Sequence, residues 1–219
     1  MRHTKQSRKI TSLPKNRGVI FCVILNTMQN EFEKYIQSYF GVPPDTLQQI
    51  GAFFKPKTLA KGAYFLKEGQ YADQLGFVQT GIIREYLLDD KGREVTKWIS
   101  SPGYFVVDIA SFLFQQPARW SLQALSDTAL LVISKADYAQ MGQVVPKWPE
   151  LEKLFFARCF TILEQRIVTH LSLSSEERYH LFFAQNPELF NQVPLQYLAS
   201  MLGMTPETFS RIRKKDAER

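Results

Sequence analysis

Cysteine and histidine are scarce in this chain of 219 residues. Two cysteines and three histidines are present, too few for a disulfide framework, a four-thiolate zinc site or an iron–sulfur cluster. No histidine lies between residues 4 and 169, which excludes a histidine-built metal centre in that part. A membrane-spanning helix needs about 18 consecutive apolar residues, and no apolar stretch of this sequence is that long. The low cysteine content is typical of a reducing setting, so we expect a cytoplasmic protein.

The net charge of +6 is confined to one end of the chain. Residues 1–27 carry six basic and no acidic side chains, so residues 28–219 are electrically balanced. Overall basicity is therefore no evidence for nucleic-acid binding by the body of the protein. We interpret residues 1–27 as a basic and apolar tail outside the fold, with Met28 as the real start. A loosely attached tail and a signal peptide are the alternatives.

The spacing of apolar residues changes twice along the chain. Residues 30–54 have helical spacing, with a break at residues 41–44 and Asp45 as the expected cap of a second short helix. Residues 57–135 instead contain short strand-like segments separated by turn signals, which is typical of a β-sandwich or barrel. The predicted strands are 64–66, 75–78, 82–87, 94–99 and 129–133. A hairpin turn is predicted at residues 89–92 and a helical insert at 109–114, after Asp108.

A long helix is predicted from Pro149 to about Leu171, where helical spacing returns. It carries two apolar stripes. One stripe consists of Phe156, Phe160, Leu163 and Ile167, and the other of Leu151, Phe155, Cys159 and Ile162. We expect one stripe to pack on the parent domain and the first-named stripe to meet a partner helix in a homodimer. The alternative is that both stripes are buried within one chain.

Residues 193–215 have the pattern of a helix-turn-helix. Apolar residues lie on one face of a first helix, Gly203 suits a turn that needs a positive φ, and Thr205 suits the N-cap of a second helix. Phe209 and Ile212 would pin the second helix against the first. Each feature is weak alone, but the combination over twenty residues in register is specific.

The exposed face of the second helix predicts contacts with DNA. Arginine can bridge two acceptors on a guanine edge, and lysines and helix N-termini suit phosphates. The predicted DNA-binding residues are Thr205, Glu207, Thr208, Ser210, Arg211, Lys214 and Lys215. The alternative is an ordinary helical hairpin with a solvated basic face.

The whole plan resembles the Crp–Fnr superfamily of bacterial transcription regulators. Gly69, Gly81 and Gly103 match turn glycines of the family's cyclic-nucleotide-binding roll, and residues 194–211 match its DNA-binding segment. The resemblance implies an α+β fold. It would have an N-terminal double-stranded β-helix (jelly-roll-like) sensor domain, a long dimerisation helix and a C-terminal all-α helix-turn-helix domain.

Domain boundaries, partners and roles follow from this resemblance. It implies a roll domain at 28–147, a dimerisation helix at 148–171 and a DNA-binding domain at 172–219, without the full wing that follows the recognition helix in relatives. Thr205, Glu207 and Arg211 would read bases. Double-stranded DNA, a second copy of the chain and RNA polymerase are the implied partners.

The effector pocket departs from the family pattern. Nucleotide-binding members carry a Gly-Glu pair followed by Arg-Ser-Ala, whereas this chain has Val107 and Asp108, with Ala118 at the arginine position. Arg119 is one residue late and would need a bulge to point inward. We therefore do not expect cyclic AMP to bind, although Asp108 keeps a carboxylate for a ribose hydroxyl. A different ligand or none is expected, with Trp98, Phe105, Phe112 and Trp120 as pocket walls or as plain core.

An enzyme is not expected. A metal-dependent barrel enzyme of the cupin type would need histidines on its strands, and residues 57–135 contain none. No nucleophile–base pair is evident there either. We expect no catalytic residues, no metal and no cofactor, and the effector stays unidentified. The alternative to a DNA-binding regulator is a degenerate roll that signals to a protein partner without binding specific DNA.

Overall fold

The computed structural model describes residues 32–37 and 41–218. The predicted tail at 1–27 and the proposed start at Met28 lie outside the described residues. Residues 32–37 are helical, and helix α1 follows at Pro44–Gly51. The N-cap of α1 is Pro43, and Pro44 occupies its first turn. The predicted cap at Asp45 is therefore wrong by two residues, and Asp45 lies instead in the first turn, where its charge suits the helix dipole.

Eight strands form two antiparallel four-stranded sheets that pack as a sandwich. In chain order they are β1 (Lys55–Leu59), β2 (Tyr64–Leu66), β3 (Gln74–Thr80), β4 (Ile83–Leu88), β5 (Glu94–Ser100), β6 (Phe105–Val106), β7 (Ser121–Ala124) and β8 (Thr128–Ser134). One sheet has the order β1-β8-β3-β6 and the other β2-β7-β4-β5. The predicted β-sandwich domain is confirmed, and β5 lies at an edge.

Three strands were not predicted from the sequence, namely β1, β6 and β7. β1 contains Pro56, which an edge strand tolerates because one side of its backbone needs no partner. β6 has only two residues. Such short strands exist because a neighbour supplies hydrogen bonds, so local alternation of polar and apolar residues does not reveal them.

The hairpin between β4 and β5 forms where the sequence predicts it. Asp89 accepts hydrogen bonds from the backbone N–H groups of Lys91 and Arg93, both at 2.9 Å. Gly92 has a φ of +73°, which the turn requires. The pairing places Arg84 opposite Ile99 and Tyr86 opposite Thr96, with a register shift between Glu85 and Tyr86. Because they are two residues apart on the same strand, Arg84 and Tyr86 lie on one face of β4.

Seven further helices complete the described chain. They are α2 (Ile109–Phe114), α3 (Lys135–Val144), α4 (Trp148–Ser172), α5 (Ser175–Gln185), α6 (Leu189–Gln192), α7 (Leu195–Met201) and α8 (Pro206–Ala217). The predicted long helix is α4, which ends one residue later than expected. A capping box opens α5, with Ser174 and Glu177 as its members.

Two hydrophobic clusters hold the structure together. The first fills the sandwich and includes Phe32, which packs edge-on to Phe77 with ring centroids 5.1 Å apart. The second cluster connects the four helices α5, α6, α7 and α8, and it also contains Ile82 and Ile99 of the roll. The C-terminal helices therefore share a core with the roll.

In the part of the chain that the structure describes, every helix is too short or too polar to cross a membrane.

Candidate nucleic-acid interface and effector pocket

Helices α7 and α8 form a tight pair. Leu198 and Ala199 of α7 and Phe209 of α8 are completely buried, and Ile212 is nearly so. The small side chain of Ala199 allows the two helices to approach closely. The turn between them contains Gly203, whose φ of +66° is the left-handed value that glycine adopts most readily. These packing and turn predictions are confirmed.

The start of α8 is built as the sequence predicts. The Thr205 side chain accepts a hydrogen bond from the backbone N–H of Thr208 at 3.2 Å, and Pro206 follows in the first turn. Glu207 accepts hydrogen bonds from its own backbone N–H and from the Thr205 hydroxyl, which lower the pKa of its carboxyl. Both side chains thus stabilise the helix N-terminus, whatever else they contact.

The predicted DNA-binding residues share one side of α8. Thr205, Glu207, Ser210, Arg211, Lys214 and Lys215 are exposed, and Thr208 is half-buried. Lys215 differs from the rest because its ammonium group pairs with the carboxylate of Glu176 in α5, at 3.0 Å. Arg211 and Lys214 are therefore the exposed cations that a phosphate or a base edge would meet first.

The helix pair is docked on the edge strand β5, which the sequence did not predict. The backbone N–H of Thr96 donates to the Ser200 hydroxyl of α7 at 2.9 Å. Arg166 of α4 donates to the carbonyl oxygens of Lys97 and Met201, the second at 3.0 Å. These bonds occupy a strand edge that would otherwise be unpaired, and they fix α7 relative to the roll.

A buried arginine lies at the centre of this contact. Arg84 of β4 is 1% exposed, and its guanidinium donates to Thr96 at 2.9 Å and to Glu94 at 2.5 Å. The guanidinium carbon lies 4.3 Å from the ring centroid of Tyr86 and 3.6 Å from that of Tyr197 in α7. The adjacent charged residues Arg84 and Glu85 inside a strand of apolar and aromatic residues were the available signal, because charged side chains are rarely buried without partners.

The effector-pocket residues do not form a phosphate site in this structure. Asp108 is 3% exposed, and its two carboxylate oxygens accept the backbone N–H groups of Ser111 and Arg119, at 3.0 and 2.9 Å. Both carboxylate oxygens are thus already engaged by backbone donors of the roll. Ala118 is buried, Arg119 is exposed rather than inward, and Val107 is half-buried against the core.

The four aromatic residues proposed as pocket walls have different positions. Phe112 belongs to the roll core, and Phe105 and Trp120 pack against that core. Lys97 lies over the Trp120 ring at 4.8 Å and forms an ion pair with Glu85 at 2.7 Å. Trp98 instead faces α4, with the guanidinium of Arg166 4.9 Å from its ring. Plain core is thus the correct interpretation for Phe112, whereas Trp98 is a β5 residue whose ring contacts Arg166 of α4 and does not belong to the roll core.

The two apolar stripes of α4 have different surroundings. Leu151 is buried, and Phe155 packs edge-on to Phe105 of the roll, 5.0 Å between centroids. In the first-named stripe, Phe160 is 61% and Ile167 59% exposed, and Leu163 is exposed as well. The alternative that both stripes are buried within one chain is therefore wrong.

Comparison with known proteins gives the family of the roll. Residues 56–143 match the family model described as the cyclic nucleotide-binding domain. Among curated protein sequences, none matches the chain significantly.

Solved structures resemble the chain over most of its length. The catabolite activator protein of Thermus thermophilus is 23% identical, covering 82% of this chain and 86% of that one, with a TM-score of 0.51. The regulator CLP of Xanthomonas campestris is 17% identical, with 80% and 92% covered and a TM-score of 0.63. FixK2 of Bradyrhizobium japonicum is 19% identical, with 74% and 83% covered and a TM-score of 0.61.

This chain has the fold of the Crp–Fnr regulators. The Crp–Fnr resemblance inferred from the turn glycines and from residues 194–211 is confirmed, as are the mixed α+β class and the β-sandwich with C-terminal helices. Within the described residues, no group of three or more histidine, cysteine, aspartate or glutamate side chains could hold a metal ion. Two exposed surfaces of this fold are candidate binding surfaces, namely the exposed side of α8 and the exposed stripe of α4.

Proposed function

We propose that this protein is a dimeric DNA-binding transcription regulator of the Crp–Fnr type. In this proposal residues 28–147 are the sensor roll, 148–171 the dimerisation helix and 172–219 a helix-turn-helix domain. Helix α8 is the recognition helix, and Thr205, Glu207 and Arg211 read base edges while Lys214 and the helix N-terminus contact phosphates.

The observation that supports this proposal most directly is the shape and charge of α8. Phe209 and Ile212 anchor one side of the helix, while Arg211 and Lys214 are exposed on the other. An α-helix fits the major groove of DNA, where arginine can bind guanine through two hydrogen bonds. A protein-binding module has no need for a basic face at this position.

The exposed stripe of α4 supports the dimer. Two copies that pair through Phe156, Phe160, Leu163 and Ile167 would bury three side chains that one copy leaves exposed, those of Phe160, Leu163 and Ile167. Their recognition helices would enter successive major grooves, with half-sites about 34 Å apart. The operator would then be palindromic, as the two-fold symmetry requires.

The effector in this proposal is not cyclic AMP. The carboxylate of Asp108 is engaged within the roll and Arg119 is exposed, so a phosphodiester would lack a strong bidentate partner. RNA polymerase is a candidate partner by family resemblance alone.

Selection of bound duplexes from a random pool tests the proposal. The full chain is expected to enrich a palindrome, and Arg211→Ala to weaken binding by about 1–3 kcal/mol and to relax one base preference. Arg213→Ala is the matched control, since Arg213 is also exposed on α8 but lies outside the predicted reading set. It removes the same charge and should leave the enriched sequence unchanged. Binding without any enriched sequence, set only by salt, would favour the protein-partner alternative.

A further inference from the structure

A large groove lies where the roll, the long helix and the C-terminal helices meet. Its volume is about 680 Å³, within the range of about 300–1,000 Å³ that is usual for small-molecule sites. Strand β5 contributes Trp98, α4 contributes Arg158 and Arg166, and α5 contributes Arg178. Of the residues considered for the effector pocket, Trp98 lines this groove, whereas the other residues do not: Val107, Asp108, Ala118, Arg119 and Trp120. The groove is therefore separate from the cyclic-nucleotide position of the roll.

The lining of the groove is positively charged. The described residues along it include Arg158, Arg166, Arg178 and His170 but no aspartate or glutamate. Guanidinium groups bind carboxylates, sulfonates and phosphates strongly because two parallel N–H groups match two oxygens. An anion in the groove would meet the guanidinium groups of Arg158 and Arg166, whereas the guanidinium of Arg178 already donates to the carbonyl oxygens of Leu173 and Leu202.

Arg166 is the cation with most to gain from an anion. Burial lowers the pKa of its guanidinium, and the nearby charge of Glu85 only partly opposes this effect. Its guanidinium donates to two neutral carbonyl oxygens, those of Lys97 and Met201. A partly buried cation that is held by neutral acceptors is stabilised when a negative charge approaches.

Aromatic rings form another wall of the groove. Trp98 and Tyr104 lie with their ring centroids 6.1 Å apart, and Tyr104 is 37% exposed. Both line the groove. A flat ring can stack on such side chains, which adds affinity and orients a ligand whose charged group points towards the arginines.

The proposed dimer would leave the groove open. Gln165 of α4 lines the groove and lies nine residues, or about two and a half turns, from Phe156 of the exposed stripe. The two side chains therefore point to opposite sides of the helix. A second copy that covers the stripe therefore leaves the Gln165 side of α4 open, whereas His170, three residues after Ile167, lies at the end of the groove nearer the stripe.

We propose that this groove is a binding site for a small aromatic anion. The anionic group meets Arg158 and Arg166, and the ring lies against Trp98 and Tyr104. Because Arg166 also holds the carbonyls of β5 and α7, such a ligand would contact the joint that positions the helix pair. The site does not depend on the proposed DNA-binding function.

Fluorine NMR of the full chain labelled with 5-fluorotryptophan tests the site. The chain contains three tryptophans, so three resonances are expected, which Trp98→Phe, Trp120→Phe and Trp148→Phe assign. The probe is naphthalene-1-sulfonate. We expect the Trp98 resonance to shift in a saturable way, while the Trp120 and Trp148 resonances stay in place. The neutral 1-naphthalenemethanol and the ringless methanesulfonate should each bind at least about tenfold more weakly, since each lacks one of the two recognition elements.

Arg158→Gln provides the decisive variant, because Arg158 is exposed and its loss should not unfold the chain. It is expected to weaken the probe about tenfold, the usual effect of losing one charge-assisted hydrogen bond. Arg213→Gln on α8 is the matched control and should change nothing. A shift of Trp120 alone, equal binding of the neutral probe, or unchanged affinity in Arg158→Gln would each overturn the proposal. None of these readouts involves DNA, so the two proposals can fail independently.

Discussion

The guanidinium carbon of Arg84 lies 3.6 Å from the ring centroid of Tyr197. Arg84 belongs to the roll and Tyr197 to the first helix of the C-terminal pair, so this stack joins the two parts of the chain. It lies beside the hydrogen bond from the Thr96 backbone to Ser200. The position of the helix pair is thus set by the β4–β5 hairpin as well as by α4.

A double-mutant cycle between Arg84 and Tyr197 is expected to give a coupling energy of about 1–2 kcal/mol, as for a desolvated cation–π pair. Arg84→Met, Tyr197→Leu and the double variant would be compared by urea unfolding. Arg84→Lys is the matched control, because it keeps the charge but loses the flat group that stacks. Additive losses in the cycle would contradict a direct interaction.

Glutamate in place of Phe160 or Ile167 is expected to abolish the proposed dimer, since a charge would be buried against apolar side chains of the second copy. Sedimentation equilibrium of the full chain measures this. Leu154→Glu is the control, because Leu154 is also exposed and lies two and a half turns from Leu163, on the opposite side of α4. If the wild type sediments as a monomer, the stripe is not the dimer contact.

The pKa of Glu207 should lie below the ordinary glutamate value of about 4.3, because its ionised carboxylate accepts two hydrogen bonds at the start of α8. The ionised Glu207 carboxylate therefore stabilises the folded state fully at pH values above its pKa in the unfolded chain. This stabilisation is lost as the pH falls through the lower pKa of Glu207 in the folded chain. Carboxyl carbon NMR during an acid titration measures the pKa directly. Thr205→Val removes the hydroxyl donor and should raise it, whereas Thr205→Ser should leave it low.

Asp108→Ala is expected to destabilise the roll by about 2 kcal/mol. The substitution removes the N-cap of α2 and leaves the backbone N–H of Arg119 without its acceptor. Asp108→Asn should cost less, because the amide oxygen can still accept one of the two bonds. Chemical denaturation compares the variants.

Calorimetric titration of the wild type with cyclic AMP should give no saturable heat, and saturable binding would show that Asp108 or Arg119 can rearrange.

Local sequence determined the elements whose causes are local. Thr205, Pro206 and Gly203 fix the turn between α7 and α8 because capping and backbone conformation depend on adjacent residues. The same holds for the hairpin at Asp89 and for the capping box at Ser174. The spacing of apolar side chains also determined α4 and its two stripes, since helical period alone places residues on faces.

Only the tertiary structure determines which helices, strands and side chains contact one another. The sequence could not show that Arg84 reaches Tyr197 or that Ser200 receives the Thr96 N–H, because these contacts join residues far apart in the chain. Strands β1, β6 and β7 were missed for the same reason, as their backbone hydrogen bonds come from neighbours. Local preference sets where helices and turns begin, whereas packing and the need to satisfy every buried polar group set how they assemble.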